Sequence, residues 1–233
     1  MIRSQLGVRD ALLLGLTLVA GAVDAVSYLG LGRVFTANMT GNLVLLGLAI
    51  GQGQIPEALR SVVALLGFAL GAGLGGWLVG GGRAGERSEH WPSMVTLVLG
   101  VELGLLAGFA VAWLLAGPNA TSGELEVLIA LSSAAMGMQS VAGRRLAVAG
   151  VTTTYVTGTL VTLMAELAAL ARRQPGAGRW LGVLLALGVG ATIGTVLMEQ
   201  ARPVAPLLPV VALGAVVLVA AAAFPARRQT LSS

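Results

Sequence analysis

The sequence predicts an all-α polytopic membrane protein with about six transmembrane helices, arranged as two three-helix inverted repeats with two polar, re-entrant or broken Thr-Gly segments. The first observation behind this fold class is composition. Of the 233 residues, 56% are apolar and 10% are charged, and the mean hydropathy is +0.90. Soluble domains carry roughly 25% charged residues. The other two observations are six long apolar runs and a Thr-Gly motif that occurs twice.

The apolar runs predict the transmembrane helices, because about 20 apolar residues cross a hydrocarbon core of about 30 Å. The predicted spans are residues 10–31, 61–80, 93–116, 125–143, 180–199 and 206–224. Residues 35–51 and 151–171 are also long and apolar, but they are rich in Thr, Asn and Tyr. Full crossing by both segments is the alternative, which gives eight spans in a 4+4 arrangement. The whole chain, 1–233, is expected to form a single transmembrane domain.

The arginines favour the count of six. All 14 basic residues are arginine, and eight spans would place eight of them in the cytoplasm and six outside. Six spans leave Arg33, Arg60 and Arg202 outside and eleven arginines inside. The positive-inside rule therefore predicts six spans with both termini cytoplasmic. The tryptophans agree, because they lie near predicted span ends, as in an interfacial aromatic belt. They are Trp77, Trp91, Trp113 and Trp180.

An internal duplication is indicated by FTANMTGNL at residues 35–43 and TTTYVTGTL at residues 152–160, whose Thr-Gly pairs are 117 residues apart. Each motif follows a span with one strongly polar residue, Asp24 in the first half and Gln139 in the second. Repeat 1 is predicted to cover about 8–116 and repeat 2 about 124–226. Because three spans is an odd number, the copies would have opposite orientations, a recurring plan of secondary transporters.

Each motif also precedes a span with small residues at every fourth position. These residues are Gly67, Gly71 and Gly75 in one half, and Gly182, Ala186, Gly190 and Gly194 in the other. Such ridges let helix backbones approach closely in lipid, so ordinary packing is the favoured interpretation. They also permit a homodimer without requiring one.

Three segments carry a family resemblance. They are GAVDAVSYLGLGRVFTANMTGNLVLLG at residues 21–47, MGMQSVAGRR at 136–145 and TTTYVTGTL at 152–160. These segments resemble the YoaK family of small bacterial inner-membrane proteins, and the similarity covers essentially the whole chain. The resemblance implies about six spans, a location in the bacterial inner (plasma) membrane, and a suspected transport role with no assigned substrate.

Asp24 is the most informative polar residue. It lies seven residues, or about 10 Å, from the end of its predicted span. An ionised carboxylate at this depth costs about 2.5–3.5 kcal/mol, so it is expected to face the bundle interior and to have a partner. Thr17, Gly21 and Tyr28 share its helical face. Either Asp24 is a protonatable group or cation ligand on a permeation path, which is favoured, or it only fixes helix packing.

The Thr-Gly segments are the second candidate feature. A helix break after threonine frees backbone amides, and a half-helix that starts there presents a positive dipole end to a polar or anionic solute. The alternative is that these hydroxyls and amides only fasten helices together. Glu102, near the middle of its span, is a candidate proton site or arginine partner. The candidate substrate- or ion-binding residues are Asp24, Asn38, Thr40, Gly41, Asn42, Glu102, Gln139, Tyr155, Thr157, Gly158 and Thr159.

The sequence lacks the residues that several enzyme classes require. The chain has no cysteine, one histidine, His90, in a predicted loop, and two aspartates, Asp10 and Asp24. A disulfide scaffold, a histidine-rich metal site and a Ser-His pair are therefore not expected. No phosphate-binding loop is present, and the arginines form no patch for nucleic acid. We expect neither an enzyme nor a bound cofactor or metal.

Two functions remain as hypotheses. The first is a secondary transporter or permease for a small polar or anionic solute, coupled to protons or cations through Asp24. The second is a non-transporting membrane scaffold or assembly factor with structural polar residues. The expected partners are the lipid bilayer and an unidentified small molecule or ion. The transporter hypothesis predicts a pocket between the halves that contains Asp24, Asn38 or Asn42, and Thr157 or Thr159.

Overall fold

The computed structural model describes residues 2–80, 91–146, 158, 161, 164 and 177–225, which form helices and turns with no strand among them. The α-helices are α1 (Ile2–Gly30), α2 (Met39–Gly51), α3 (Ile55–Gly80), α4 (Ser93–Ala116), α5 (Ser122–Arg145), α6 (Ala177–Gln200) and α7 (Leu207–Ala223). Short 3₁₀ turns, Gly117–Asn119 and Arg202–Val204, precede α5 and α7.

Six helical segments of the described residues are long and apolar enough to cross a membrane, which confirms the predicted number of spans. They contain 22 to 27 residues, and the mean hydropathy of their most apolar windows is 1.4 to 2.5. These segments are Gly7–Gly30, Ile55–Gly80, Ser93–Asn119, Ser122–Arg145, Arg179–Gln200 and Arg202–Ala223. The protein is therefore an all-helical, multi-pass membrane protein.

The start of α3 differs from its predicted boundary. This helix begins at Ile55, six residues before predicted residue 61. Pro56 and Glu57 stand in its first turn, where a missing N–H and a negative charge are both favourable. Apolarity alone does not detect this turn, because it carries Glu57 and Arg60.

The first polar segment contains a short helix. Of residues 35–51, only Met39–Gly51 is helical, and 13 residues rise about 20 Å, too little for a hydrocarbon core of about 30 Å. A broken segment is the form that the sequence predicted here. The second polar segment, 151–171, lies outside the described residues except for positions 158, 161 and 164.

Helices α1 and α6 run parallel with their backbones in contact. Arg179 forms an ion pair with Asp10 near the start of both helices, with an N–O distance of 2.9 Å. Further along, Gly21 lies so close to the Leu187 carbonyl that a Cβ at this position would collide with it. Glycine is therefore required there by the close approach of the two helices.

Helices α3 and α5 pair in the same manner. Gly71 lies against the Ala134 carbonyl and Gly75 lies against Met138, so residue numbers rise together along both helices. The predicted small-residue ridges of α3 and α6 are thus packing surfaces, and each contacts the first helix of the other half.

Helices α1 and α5 cross in opposite directions. The Gln139 side-chain amide donates to the Leu16 carbonyl at 2.9 Å. Closer to the end of α1, the Thr36 backbone N–H donates to Asp24. The Thr36 hydroxyl lies 2.9 Å from the hydroxyl of Ser132 on α5. Residue numbers therefore rise along α1 as they fall along α5. Because α3 is parallel to α5, α3 is antiparallel to α1, and α2 returns the chain to the end of the bundle that α1 has reached.

The charged residues lie at the two ends of the bundle. One end, called here the Arg60 face, carries Arg33, Arg60 and Arg202. The opposite end, the Arg179 face, carries Arg179 and Arg145, which donates to the Val79 carbonyl. This division matches the six-span count; which face is cytoplasmic, and where the termini lie, stays a prediction from the positive-inside rule.

Candidate functional site

The site is built where the chain leaves α1 and turns back into the bundle. At the end of α1, Gly32 and Arg33 both adopt positive φ, 83° and 61°. The Arg33 amide donates to the Tyr28 carbonyl, which closes the last turn of the helix. The chain then reverses and re-enters the bundle alongside the last two turns of α1. The Arg60 side chain covers Gly32, where a Cβ would collide with the guanidinium.

Asp24 anchors the descending loop. Its Oδ1 atom accepts the backbone N–H groups of Thr36 and Ala37, at 3.0 and 2.8 Å. The backbone N–H of Asn38 also interacts with the carboxylate. The expected partner of Asp24 is therefore backbone amide rather than a basic side chain. Asp24 lies six residues before the end of α1, a depth of about 9 Å.

Asn42 holds the loop from the other side. Its Oδ1 accepts the Phe35 N–H at 2.9 Å, and its Nδ2 donates to the Phe35 carbonyl at 2.5 Å. The Phe35 ring stacks on Tyr28 with 5.0 Å between the ring centroids. Asn42 is fully buried, so its two bonds satisfy an amide that would otherwise be costly inside the bundle.

The other predicted residues of the first motif have lesser roles. Asn38 caps α2 by accepting the Gly41 N–H at 3.2 Å. Gly41 is closely packed, because a Cβ would lie about 3.0 Å from the Phe35 ring and the Asn38 amide. Thr40 is exposed and makes no hydrogen bond to Asp24. The structure thus brings Asn42 close to Asp24 through Phe35 and the loop and leaves Thr40 on the outside of α2.

The four residues predicted to share one face of α1 have different neighbours in the structure. Gly21 packs against α6, and the Thr17 hydroxyl donates to the Leu13 carbonyl, one turn earlier in the same helix, at 2.9 Å. Asp24 and Tyr28 face the loop. The spacing therefore identified neighbours in space, but it did not identify a continuous polar path.

Two predicted residues lie deeper in the bundle. The Gln139 amide nitrogen is bound to the Leu16 carbonyl rather than to Asp24, and its Oε1 is buried with no hydrogen-bond partner. Glu102 is fully buried on α4, and neither of its carboxyl oxygens has a hydrogen-bond partner. The predicted arginine partner of Glu102 is not found among the described residues.

The second Thr-Gly motif is represented by one residue. Gly158 is helical and exposed, whereas Tyr155, Thr157 and Thr159 lie outside the described residues. The predicted pocket between the halves therefore stays a prediction. Three grooves lined by described residues lie elsewhere and do not include Asp24. In the described ranges, no group of three or more His, Cys, Asp or Glu side chains has the geometry of a metal site.

Sequence reasoning missed three participants, namely the amides of Thr36 and Ala37 and the hydroxyl of Ser132. Backbone amides have no signature in residue type, so no pattern could have selected positions 36 and 37. Ser132 offered a weak signal, because it is a buried serine in the middle of an apolar helix. Such a hydroxyl needs either its own backbone or a neighbouring helix as partner.

The comparisons with known proteins agree with this architecture. A family model described as "Protein of unknown function (DUF1275)" matches residues 12–220. The chain is 42% identical, over 161 residues, to the UPF0700 transmembrane protein YoaK of Bacillus subtilis (strain 168), covering 68% of this chain and 67% of that protein. No solved structure matches the chain. Since the family model spans most of the chain, the protein belongs to the DUF1275 family of transmembrane proteins.

Proposed function

We propose that the protein is a secondary permease that moves a small anionic solute together with a proton, with Asp24 and the loop amides of Thr36 and Ala37 at its centre. The observation that carries this proposal is the pair of hydrogen bonds, 3.0 and 2.8 Å, from these amides to Asp24 Oδ1. The Asp24 carboxylate thereby accepts from two amides next to the start of α2. The positive end of the helix dipole and free backbone N–H groups favour an anion at such a place.

Protonation of Asp24 would weaken these two hydrogen bonds. Hydrogen bonds to a charged group contribute about 1.5–3 kcal/mol each, roughly twice as much as bonds to a neutral group, so about half of that is lost when the acceptor becomes neutral. The two amides are then held less tightly, and the anion of a small solute can replace the carboxyl oxygen as their acceptor. A proton and a monovalent anion would thus enter the site as a neutral pair, which avoids the large cost of placing a net charge at this depth.

Two matching helix contacts between the halves of the chain support the proposal. Gly71 of α3 lies against the Ala134 carbonyl of α5, and Gly190 of α6 lies against the Leu18 carbonyl of α1. In both contacts a helix glycine lies against a backbone carbonyl of the first helix of the other half. The glycine belongs to the first half in one contact and to the second half in the other. Because α1 and α5 are antiparallel, we infer a pseudo-twofold axis in the membrane plane, the arrangement in which transporter halves face each other near the midplane.

The same correspondence revises one pairing of the sequence analysis. Thr17 and Ser133 each donate to the carbonyl four residues earlier, at 2.9 and 2.6 Å, and they are 116 residues apart. This offset pairs Asp24 with Ser140, one residue beyond Gln139. The halves therefore differ at this place, with an ionisable side chain in one and a hydroxyl in the other. A single coupling carboxylate is what a symport of one proton with one anion requires.

Reconstituted uptake tests the proposal. The full chain in proteoliposomes, with an imposed inward proton gradient, is offered radiolabelled small carboxylates, phosphate and sulfate. We expect accumulation of at least one of these anions, together with proton entry reported by a dye in the lumen. Asp24→Asn keeps an amide-accepting oxygen but cannot be protonated, so gradient-driven accumulation is expected to disappear. Thr192→Val, at an exposed α6 threonine bonded to its own helix, is the control and is expected to transport normally.

The scaffold hypothesis is favoured by a different observation. Asn42 and the Thr36 hydroxyl already have partners within the bundle, as structural fasteners would. A scaffold predicts that Asp24→Asn lowers thermal stability and that the wild-type chain moves none of the offered anions. Absence of both anion and proton flux from folded wild-type protein would therefore reject the permease.

A further inference from the structure

We propose that Glu102 and Gln139 form a second proton-binding site in the bundle, in which a protonated Glu102 donates its hydroxyl to Gln139 Oε1 directly or through one water molecule. The proposal concerns a part of the bundle separate from the loop that Asp24 anchors. It does not depend on the proposed transport.

Both side chains have polar atoms without hydrogen-bond partners, and one bond between them would satisfy both residues. Both carboxyl oxygens of Glu102 and the Oε1 atom of Gln139 are buried without a hydrogen-bond partner. Gln139 Nε2 is bonded to the Leu16 carbonyl at 2.9 Å, so the orientation of the amide is determined and Oε1 remains as an acceptor. A protonated carboxyl group is the donor that such an acceptor lacks.

The packing of α4 on α5 places the two residues at the same depth. These antiparallel helices are joined by a short turn, and one groove is lined by Ala112 on α4 and by Val127 and Leu128 on α5. Glu102 lies ten residues before Ala112 on α4, and positions 137 and 138 lie ten residues after Val127 and Leu128 on α5. Gln139 therefore lies within about 3 Å of the level of Glu102 along the helix axes.

Burial indicates that Glu102 is neutral. It interrupts an apolar stripe of α4 between Leu99 and Leu106, and none of its surface is exposed. An unpaired carboxylate in such surroundings costs far more than a neutral acid. A proton held by Glu102 removes this cost and supplies the hydrogen bond that Gln139 needs.

No charge that could stabilise an ionised Glu102 lies at its level in the described parts of the elements packed against α4. Helix α7 has no ionisable residue, and α3 has only Glu57 and Arg60, at its start. On α5, the ionisable residues are Glu124, Glu126, Arg144 and Arg145, near its ends. Arg202, in the turn before α7, lies over the Trp113 ring, eleven residues along α4 from Glu102.

Infrared spectroscopy of the full chain in liposomes tests the pair. The carbonyl stretch of a protonated carboxyl group is separate from the amide bands, and it shifts to lower frequency when the group forms hydrogen bonds. On an Asp24→Asn background, wild-type Glu102 is expected to give such a band at neutral pH, and Glu102→Gln is expected to remove it. Gln139→Leu is expected to move the band to higher frequency. Ser133→Ala, at a buried serine bonded to its own backbone, is the control and should leave the band in place.

A carbodiimide provides a measurement that needs no variant. The apolar reagent dicyclohexylcarbodiimide adds to a protonated carboxyl group, whose proton passes to a reagent nitrogen, and rearrangement leaves a stable N-acylurea. We expect a mass increase of one reagent molecule on the peptide that contains Glu102. The exposed residues Glu124 and Glu199 should remain unmodified.

The two results decide the proposal. Absence of both the band and the adduct at neutral pH would show that Glu102 is ionised and would overturn it. A band that Gln139→Leu leaves unmoved would overturn the pairing. Because neither measurement uses transport, a protein that moves no anion but shows a shifting band would refute the permease and retain this site.

Discussion

The backbone N–H of Ala37 donates a 2.8 Å hydrogen bond to Oδ1 of Asp24, thirteen residues earlier in the chain. This bond joins the last third of α1 to the loop that precedes α2, about 9 Å below the end of the helix. One carboxylate therefore determines where a re-entering loop sits. Its protonation state and the position of the loop are expected to change together.

Removal of the Asp24 acceptor should destabilise the bundle. Asp24→Leu leaves the Thr36 and Ala37 amides without an acceptor, and a buried unsatisfied donor costs about 1–3 kcal/mol. Asp24→Asn should be less harmful, because its carbonyl oxygen still accepts. Thermal unfolding in detergent, followed by circular dichroism, should rank wild type above Asn and Asn above Leu. Equal midpoints for Leu and wild type would show that these bonds contribute little to folding.

Two glycines should tolerate no added methyl group. Gly71→Ala and Gly190→Ala place a Cβ against the backbones of Ala134 and Leu18, and overpacking of this kind costs about 1–3 kcal/mol. The matched controls are Gly73→Ala and Gly188→Ala, on the same two helices.

The control glycines have open space around them, so their variants should remain within about 1 kcal/mol of wild type. Unfolding midpoints of all four variants would make the comparison. If the controls were as destabilised as the packed positions, the parallel helix contacts would be incorrect.

The amide of Asn42 should keep the loop closed. A single cysteine introduced by Ala37→Cys into this cysteine-free chain is expected to react slowly with an impermeant maleimide, because Ala37 is buried. Asn42→Ala removes two hydrogen bonds to Phe35. At about 1 kcal/mol each, their loss would increase the open population, and hence labelling, roughly thirtyfold. Thr40→Ala, at the exposed threonine of the same helix, is the control that should leave the rate unchanged.

The membrane orientation can be read with the same chemistry. Gln54→Cys and Ser122→Cys lie at the Arg60 face, whereas Ser93→Cys lies at the Arg179 face. If the three arginines of the Arg60 face are outside, an impermeant maleimide added to intact cells should label the first two cysteines and not the third. Labelling at position 93 alone would invert the predicted orientation. Different sidedness for positions 54 and 122 would contradict the return of α2 to the end that α1 reaches.

Most of the membrane-spanning architecture was predictable because each span satisfies a local requirement. A helix in lipid needs enough apolar residues in one run, and this requirement is met within each segment independently of the others. The six long apolar runs followed from such local information, whereas the two polar segments were left out of the count because of the distribution of the arginines over the whole chain. The earlier start of α3 at Ile55 arose because the first turn of this helix carries charge and does not resemble lipid-facing sequence.

The candidate site was predictable only in part. Asp24 and Asn42 were identified because an ionisable or amide side chain in an apolar run is costly and needs a partner. The partners themselves were not identified, since Asp24 binds the backbone of Thr36 and Ala37 and Asn42 binds the backbone of Phe35. Every residue type except proline carries the same backbone N–H and carbonyl groups, so the sequence does not indicate which of these groups a side chain will bind.

By itself, therefore, the sequence predicted the six long apolar helices found among the described residues, the depth of Asp24 and the small-residue ridges of α3 and α6. Only the tertiary structure decided which helices share those small positions, with α1 on α6 and α3 on α5. The physical reason is that hydrophobic thickness acts on each segment alone, whereas backbone contact and amide pairing depend on atoms far apart in the chain and become defined only when the helices meet.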